Sequence, residues 1–157
     1  MYIQDHLGKD AERRIRTWLD RPNDGYDFMR INDQMTGFRG SSNICDFTLH
    51  KDGILYYIES KATWKHRFPF SMLTKDQHDG LFEKSQLHGS MGIVIVLFAD
   101  VHRAFIINIQ DIVKLEQLGK KSLNIDKIDK WGIPYTEIQT VPSRKKVWDY
   151  TGDFVIK

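Results

Sequence analysis

Leu7, Ala11, Ile15 and Leu19 recur every four residues with Trp18 beside them, a spacing that predicts a helix over residues 5–20 with one apolar stripe. Arg21-Pro22 ends it, because the residue before a proline is driven out of helical geometry. A polar stretch follows, in which YDFMRI reads as a first strand and MTGFRGSSN as a loop. ICDFTLH and ILYYIESKAT then alternate as two strands joined through Lys51-Asp52-Gly53, and Asp-Gly between alternating runs is a hairpin signal. SMLTKDQHDGLFEKSQLHGS reads as a helix that begins near Thr74 and closes at Gly89. GIVIVLFA is a continuous apolar run, as expected of a strand buried on both faces, with RAFIINI as a partner strand and QDIVKLEQLG as a short helix. The tail places Trp131, Tyr135, Trp148 and Tyr150 in irregular polar surroundings and is expected to pack back on the rest. The order of helix, strands, helix, strands, helix predicts an α/β fold with a central mixed sheet, formed by residues 1–157 as one domain.

The hairpin has a testable register. If Asp52-Gly53 is the two-residue loop, Lys51 faces Ile54, and counting outward sets Phe47 against Ile58 and Asp46 against Glu59. One face then carries Cys45, Phe47, Leu49, Tyr56 and Ile58 and reads as core. The other carries Asp46, Thr48, Tyr57, Glu59 and Lys61 and reads as a site. A slip of one residue would exchange the two faces.

Composition narrows the class. With 41% hydrophobic and 28% charged residues the chain has the make-up of an ordinary globular protein, which excludes disorder and collagen. No apolar run reaches the roughly 20 residues of a membrane span, and MYIQDHLGKD lacks the apolar core of a secretory signal, so a cytoplasmic location and no membrane partner are expected. Cys45 is the only cysteine, which leaves oxygen or imidazole as the ligands for any metal. The six histidines show no zinc spacing, and there is no Walker-type phosphate loop. A net charge of +2 permits nucleic-acid binding without demanding it.

The chemistry concentrates on Asp46, Glu59 and Lys61. Directly opposed residues on antiparallel strands sit roughly 5 Å apart, where two carboxylates repel by about 3 kcal/mol at an effective dielectric near 20. Such a pair asks for a cation. Lys61 supplies one charge, and Mg²⁺ or Mn²⁺ fits better, because hard divalent ions favour carboxylates and backbone carbonyls, here with the Ser60 carbonyl as an added ligand. A metal so held activates water and stabilises charge on a phosphate, with Lys61 orienting the water or neutralising the transition state. Taken alone, the same spacing is more often an exposed acid–lysine pair on an edge strand. The hairpin context, the apolar second strand and the basic loop and helix that follow favour the site.

These residues resemble the PD-(D/E)xK nuclease superfamily, with Asp46 in ICDF and Glu59 and Lys61 in ESK; the proline of the superfamily name is absent. Within it the chain is similar to the RecU family of Holliday junction resolvases. The likeness is carried by Asp46 thirteen residues before Glu59, Thr63 after ESK, RFPF at residues 67–70, Gln77 at the next helix, the GIVIVLF strand and GKKS at residues 119–122. It spans residues 7–150. The resemblance implies a restriction-endonuclease-like core and a Mg²⁺-dependent homodimer that cuts four-way DNA junctions by symmetric nicks. It further implies Asp46 and Glu59 as metal ligands, Lys61 as the catalytic lysine, Glu12 as an acid near the metal and Gln77 as a site residue. Gln77 also stands fourth in a T-x-x-Q capping box with Thr74. The family's long stalk between its early strands is replaced here by the short MTGFRGSSN region, where Arg39 is the candidate for touching a junction core.

Phosphate contacts are expected from Lys65, His66 and Arg67, which leave the active strand directly, and from Lys75. Trp64 is a candidate for stacking on a base or ribose. Two other functions fit the same residues: a restriction or repair endonuclease of the superfamily acting on duplex or flap DNA, and a branched-DNA-binding protein that does not cut.

Overall fold

The computed structural model describes residues 2–23, 25–31, 43–144 and 147–156. Helix α1 runs over Tyr2–Leu19, and strands β1 (Tyr26–Arg30), β2 (Phe47–Lys51) and β3 (Ile54–Thr63) follow. A short strand β4 (Arg67–Pro69) and a 3-10 turn at Phe70–Met72 lead into α2 (Lys75–Ser85). Then come β5 (Ser90–Phe98), β6 (Arg103–Asn108), α3 (Ile109–Gln117), β7 (Ser122–Asn124), β8 (Thr136–Arg144) and β9 (Val147–Thr151). Seven strands form one sheet in the order β1-β2-β3-β5-β6-β8-β9, and β4 pairs with β7 in a separate ribbon. The β3–β5 pairing is parallel and every other pairing is antiparallel, so the sheet is mixed and the fold is α/β.

The sheet separates two apolar layers. The stripe of α1 (Leu7, Ala11, Ile15, Trp18, Leu19) packs on Phe47, Leu49, Ile58, Ile93, Ile95 and Leu97. The opposite layer joins α2 and α3 to Val94, Val96, Phe98, Phe105 and Ile107. Successive residues of β5 therefore feed alternate layers, which is why its sequence is apolar at every position. Gly92 is required by this packing, because a Cβ there would sit 2.4 Å from the Leu81 carbonyl oxygen of α2.

The Asp-Gly hairpin has the expected register, with Lys51 opposite Ile54 and Phe47 opposite Ile58. Asp52 and Gly53 both take positive φ (53° and 77°), as the two-residue turn requires. Two expectations need correction. α2 ends at Ser85 rather than Gly89: Gln86 and Leu87 close the last turn onto Glu83 and Lys84, and the Ser85 hydroxyl accepts from the Gly92 amide at 2.6 Å, turning the chain into β5. The tail is irregular through Trp131 and Tyr135, but from Thr136 onward β8 and β9 extend the sheet and carry Trp148 and Tyr150. Its aromatics are structural: Trp148 stacks on His102, and Tyr150 meets Trp18 edge-on at 5.9 Å.

Candidate active site

The site lies where β3 outruns β2. The ladder stops at Phe47–Ile58, although β3 continues to Thr63. Asp46 does not take the next rung. Its amide donates to the Ile58 carbonyl at 3.0 Å, so Asp46 and Phe47 both address Ile58, as in a β-bulge. The Asp46 carbonyl accepts from Ile31 at 2.8 Å, and its carboxylate oxygen Oδ2 accepts from the Ser60 amide at 2.9 Å. A side chain thus occupies a position that backbone would otherwise fill.

The bulge also corrects the face assigned to Cys45. An extra residue before Phe47 reverses the alternation, and Cys45 packs with Phe68 and Val94, in the layer opposite Phe47. Burial first, and then the charges of Glu59 and Asp46, push its thiol up to about 12, so it is inert. Tyr57 keeps its expected face, the one it shares by alternation with Glu59 and Lys61, and packs there on the α2 side with the Lys84 ammonium 5.5 Å from its ring centre.

Glu59 is 3% exposed and sits next to Asp46. Burial raises its carboxyl to about 10, and the Asp46 charge pushes in the same direction; Lys61 opposes them, and Glu12 on α1 adds a smaller upward push. Glu59 Oε1 lies 3.8 Å from Lys61 Nζ, whereas Oε2 is buried without a partner. A buried carboxylate oxygen with nothing to accept from is costly, and it is the donor a hard cation would use. Ser60 sends its amide toward Asp46, and because amide and carbonyl of one strand residue point to the same edge, its carbonyl faces the open side of β3 too. Among the described residues no three His, Cys, Asp or Glu side chains gather as a ready cage.

Gln77 forms the capping box with Thr74: Gln77 Oε1 accepts from the Thr74 amide at 3.0 Å, and Thr74 Oγ1 accepts from the Gln77 amide at 3.2 Å. Trp64 is half-exposed, and Lys65, Arg67 and Lys75 are exposed without ion pairs among the described residues. His66 is different. Its two ring nitrogens contact Asp126 (3.2 Å) and Asp100 (2.9 Å), and the Asp126 bond, followed by the Asp100 charge, raises its pKa. These contacts tie the loop that carries Trp64 and Lys65 to Asp100 and Asp126. Arg39 lies outside the described residues. Two of the three arginines of α1 are committed as well, Arg13 to Asp10 and Asp149 and Arg14 to Asp10, whereas Arg16 Nε is buried without a hydrogen-bond partner among the described residues.

At one end of a mixed sheet, past the last rung with β2, β3 brings an acid pair and a lysine together, and the family matched over most of the chain makes the protein an endonuclease. The family model for RecU, recombination protein U, matches residues 30–146, and the chain belongs to that family of Holliday junction resolvases. Among solved structures, the Holliday junction resolvase Hjc of Archaeoglobus fulgidus is similar at 18% identity and a TM-score of 0.48, over 66% of this chain and 78% of that one. No curated protein matches the chain in sequence.

Proposed function

We propose that this endonuclease resolves four-way DNA junctions as a homodimer making paired nicks, with Asp46, Glu59 and Lys61 at each cutting site. The carrying observation is the buried Glu59 carboxyl with an unpartnered Oε2 beside Asp46. Asp46, Glu59 and the Ser60 carbonyl are the residues to hold Mg²⁺, for which Mn²⁺ can substitute. The bound ion would lower the pKa of water and stabilise charge on the phosphate. Lys61 places an ammonium beside the acids, where it orients the attacking water or balances the developing charge. Glu12 approaches from α1, and Gln77 holds the start of α2 through its cap. Lys65, Arg67 and Lys75 meet backbone phosphates and Trp64 stacks on an unpaired base, while His66 steadies their loop. Two copies supply one site for each of the two strands to be nicked. Residues 1–157 act as one nuclease domain, in the cytoplasm. No helix among the described residues is long and apolar enough to cross a membrane.

The test offers a four-way junction, a flap and a linear duplex to the protein with Mg²⁺ and with EDTA. Metal-dependent cutting of the junction alone is expected, with Asp46→Asn abolishing it and leaving junction binding within about threefold. Equal cutting of all three DNAs would refute junction selection, and no cutting with any metal would refute the enzyme.

A further inference from the structure

A groove of about 960 Å³ lies between β4, the start of α2 and the end of α3. Four exposed cations line it, Arg67, Lys75, Lys120 and Lys121, against two carboxylates, Asp79 and Glu116. Both carboxylates are engaged by one imidazole: His78 Nε2 lies 2.6 Å from Glu116 and Nδ1 2.9 Å from Asp79. The cations are left in excess.

The lysines are brought here by the chain's geometry. Gly119 takes φ 83° after α3, its amide donates to the Glu116 carbonyl, and the Lys120 amide donates to the Leu115 carbonyl. That pair of bonds is a Schellman close, and it turns Lys120 and Lys121 back beside β4. The Lys121 carbonyl accepts from the Phe70 amide at 2.9 Å, and Lys120 Nζ stands 5.0 Å from the Trp131 ring centre.

We infer that this groove carries the sugar-phosphate backbone of the DNA arm that runs on from the cutting site, an inference that rests on the junction-cutting reading. Three observations point this way. Arg67 opens β4 only four residues after β3 ends, so the groove continues from the active strand. The apolar floor is closed, with Phe70 5% and Leu73 6% exposed, so there is no ring face for a base to stack on and the groove reads backbone alone. At the N-terminus of α2 the capping box already takes the Gln77 amide, which leaves the four side-chain cations as the main groups for an anion.

The experiment measures binding of a four-way junction by fluorescence anisotropy in EDTA across a salt series. Lys120→Ala/Lys121→Ala is compared with the wild type, with Lys120→Arg/Lys121→Arg, and with Lys127→Ala/Lys130→Ala outside the groove. Each phosphate contact contributes about 0.9 to the slope of log affinity on log salt, so the groove alanine pair lowers that slope by about two and weakens binding roughly ten-fold or more near 0.1 M salt. The arginine pair and the alanine pair outside the groove lining keep the wild-type slope. An unchanged slope in the groove alanine pair overturns the inference and leaves the junction-cutting reading standing. Failure of the wild type to bind any DNA removes the functional reading and the groove with it.

Discussion

Glu59→Gln separates a buried acid kept for a cation from one kept for the fold. In the folded chain Glu59 holds its proton up to about 10, against an ordinary value of 4.5, because of burial and then the Asp46 charge. An acid whose folded pKa is raised contributes fully below its unfolded value, and that contribution is lost as pH rises toward the folded one. Between pH 4.5 and 7.5 the unfolded chain releases a proton that the folded chain keeps, at about 1.4 kcal/mol per pH unit, or about 4 kcal/mol as an upper bound. For a chain of this size that is a change in Tm of roughly 10 °C. The glutamine keeps the shape, does not titrate, and its amide can donate to Asp46. Thermal unfolding in EDTA should therefore show wild-type stability falling relative to Glu59→Gln from pH 5 to 8, with the variant the more stable at pH 8. Millimolar Mg²⁺ should raise the wild-type Tm at pH 8 and leave the variant nearly unmoved. Parallel pH curves, or an equal Mg²⁺ shift in both proteins, would refute the reasoning.

Two further outcomes test the frame of the site. Gly92→Ala drives a methyl against the Leu81 carbonyl at 2.4 Å and should cost about 2–3 kcal/mol in urea unfolding, with a cost under about 0.5 kcal/mol showing that α2 rides freely over β5. Thr74→Ala removes the side-chain acceptor of the capping box and should lower stability by about 1 kcal/mol in the same assay; an unchanged midpoint would mean the cap contributes nothing.

The hairpin could be read from sequence because two local signals agreed: Asp52-Gly53 demanded positive φ twice, and the alternation on both sides then had one register. The α1 stripe and the doubly buried β5 were legible for the same reason, as each had a single period. Asp46 shows where such reading stops. Counting placed it opposite Glu59, but one backbone amide turned to Ile58 makes a bulge, sends Cys45 to the other layer, and brings the acid to Glu59 through the Ser60 amide. No residue type announces that bond. β4 and β7 have three residues each, too few for a period, and β8 carries Pro142 and a half-exposed Val141 in a polar sequence whose strand identity comes from pairing with β6 and β9. GKKS was visible as a motif, yet its place beside Arg67 and Lys75 follows from Gly119 and the β4–β7 ribbon, which only the fold provides.

The early stop of β2 has a further consequence. Ten residues of β3 face five of β2, so past Ile58 the edge of β3 on that side is held by groups other than the β2 ladder. Open edges recruit foreign strands, which makes them seeds for aggregation. Here the Asp46 carboxylate plugs the first rung, and beyond it Glu59 and Lys61 bring charges that an incoming strand would have to bury. The groups assigned to cutting DNA thus also guard the sheet against growth, and a variant that neutralises all three would be expected to trade lost catalysis for a tendency to self-associate through β3.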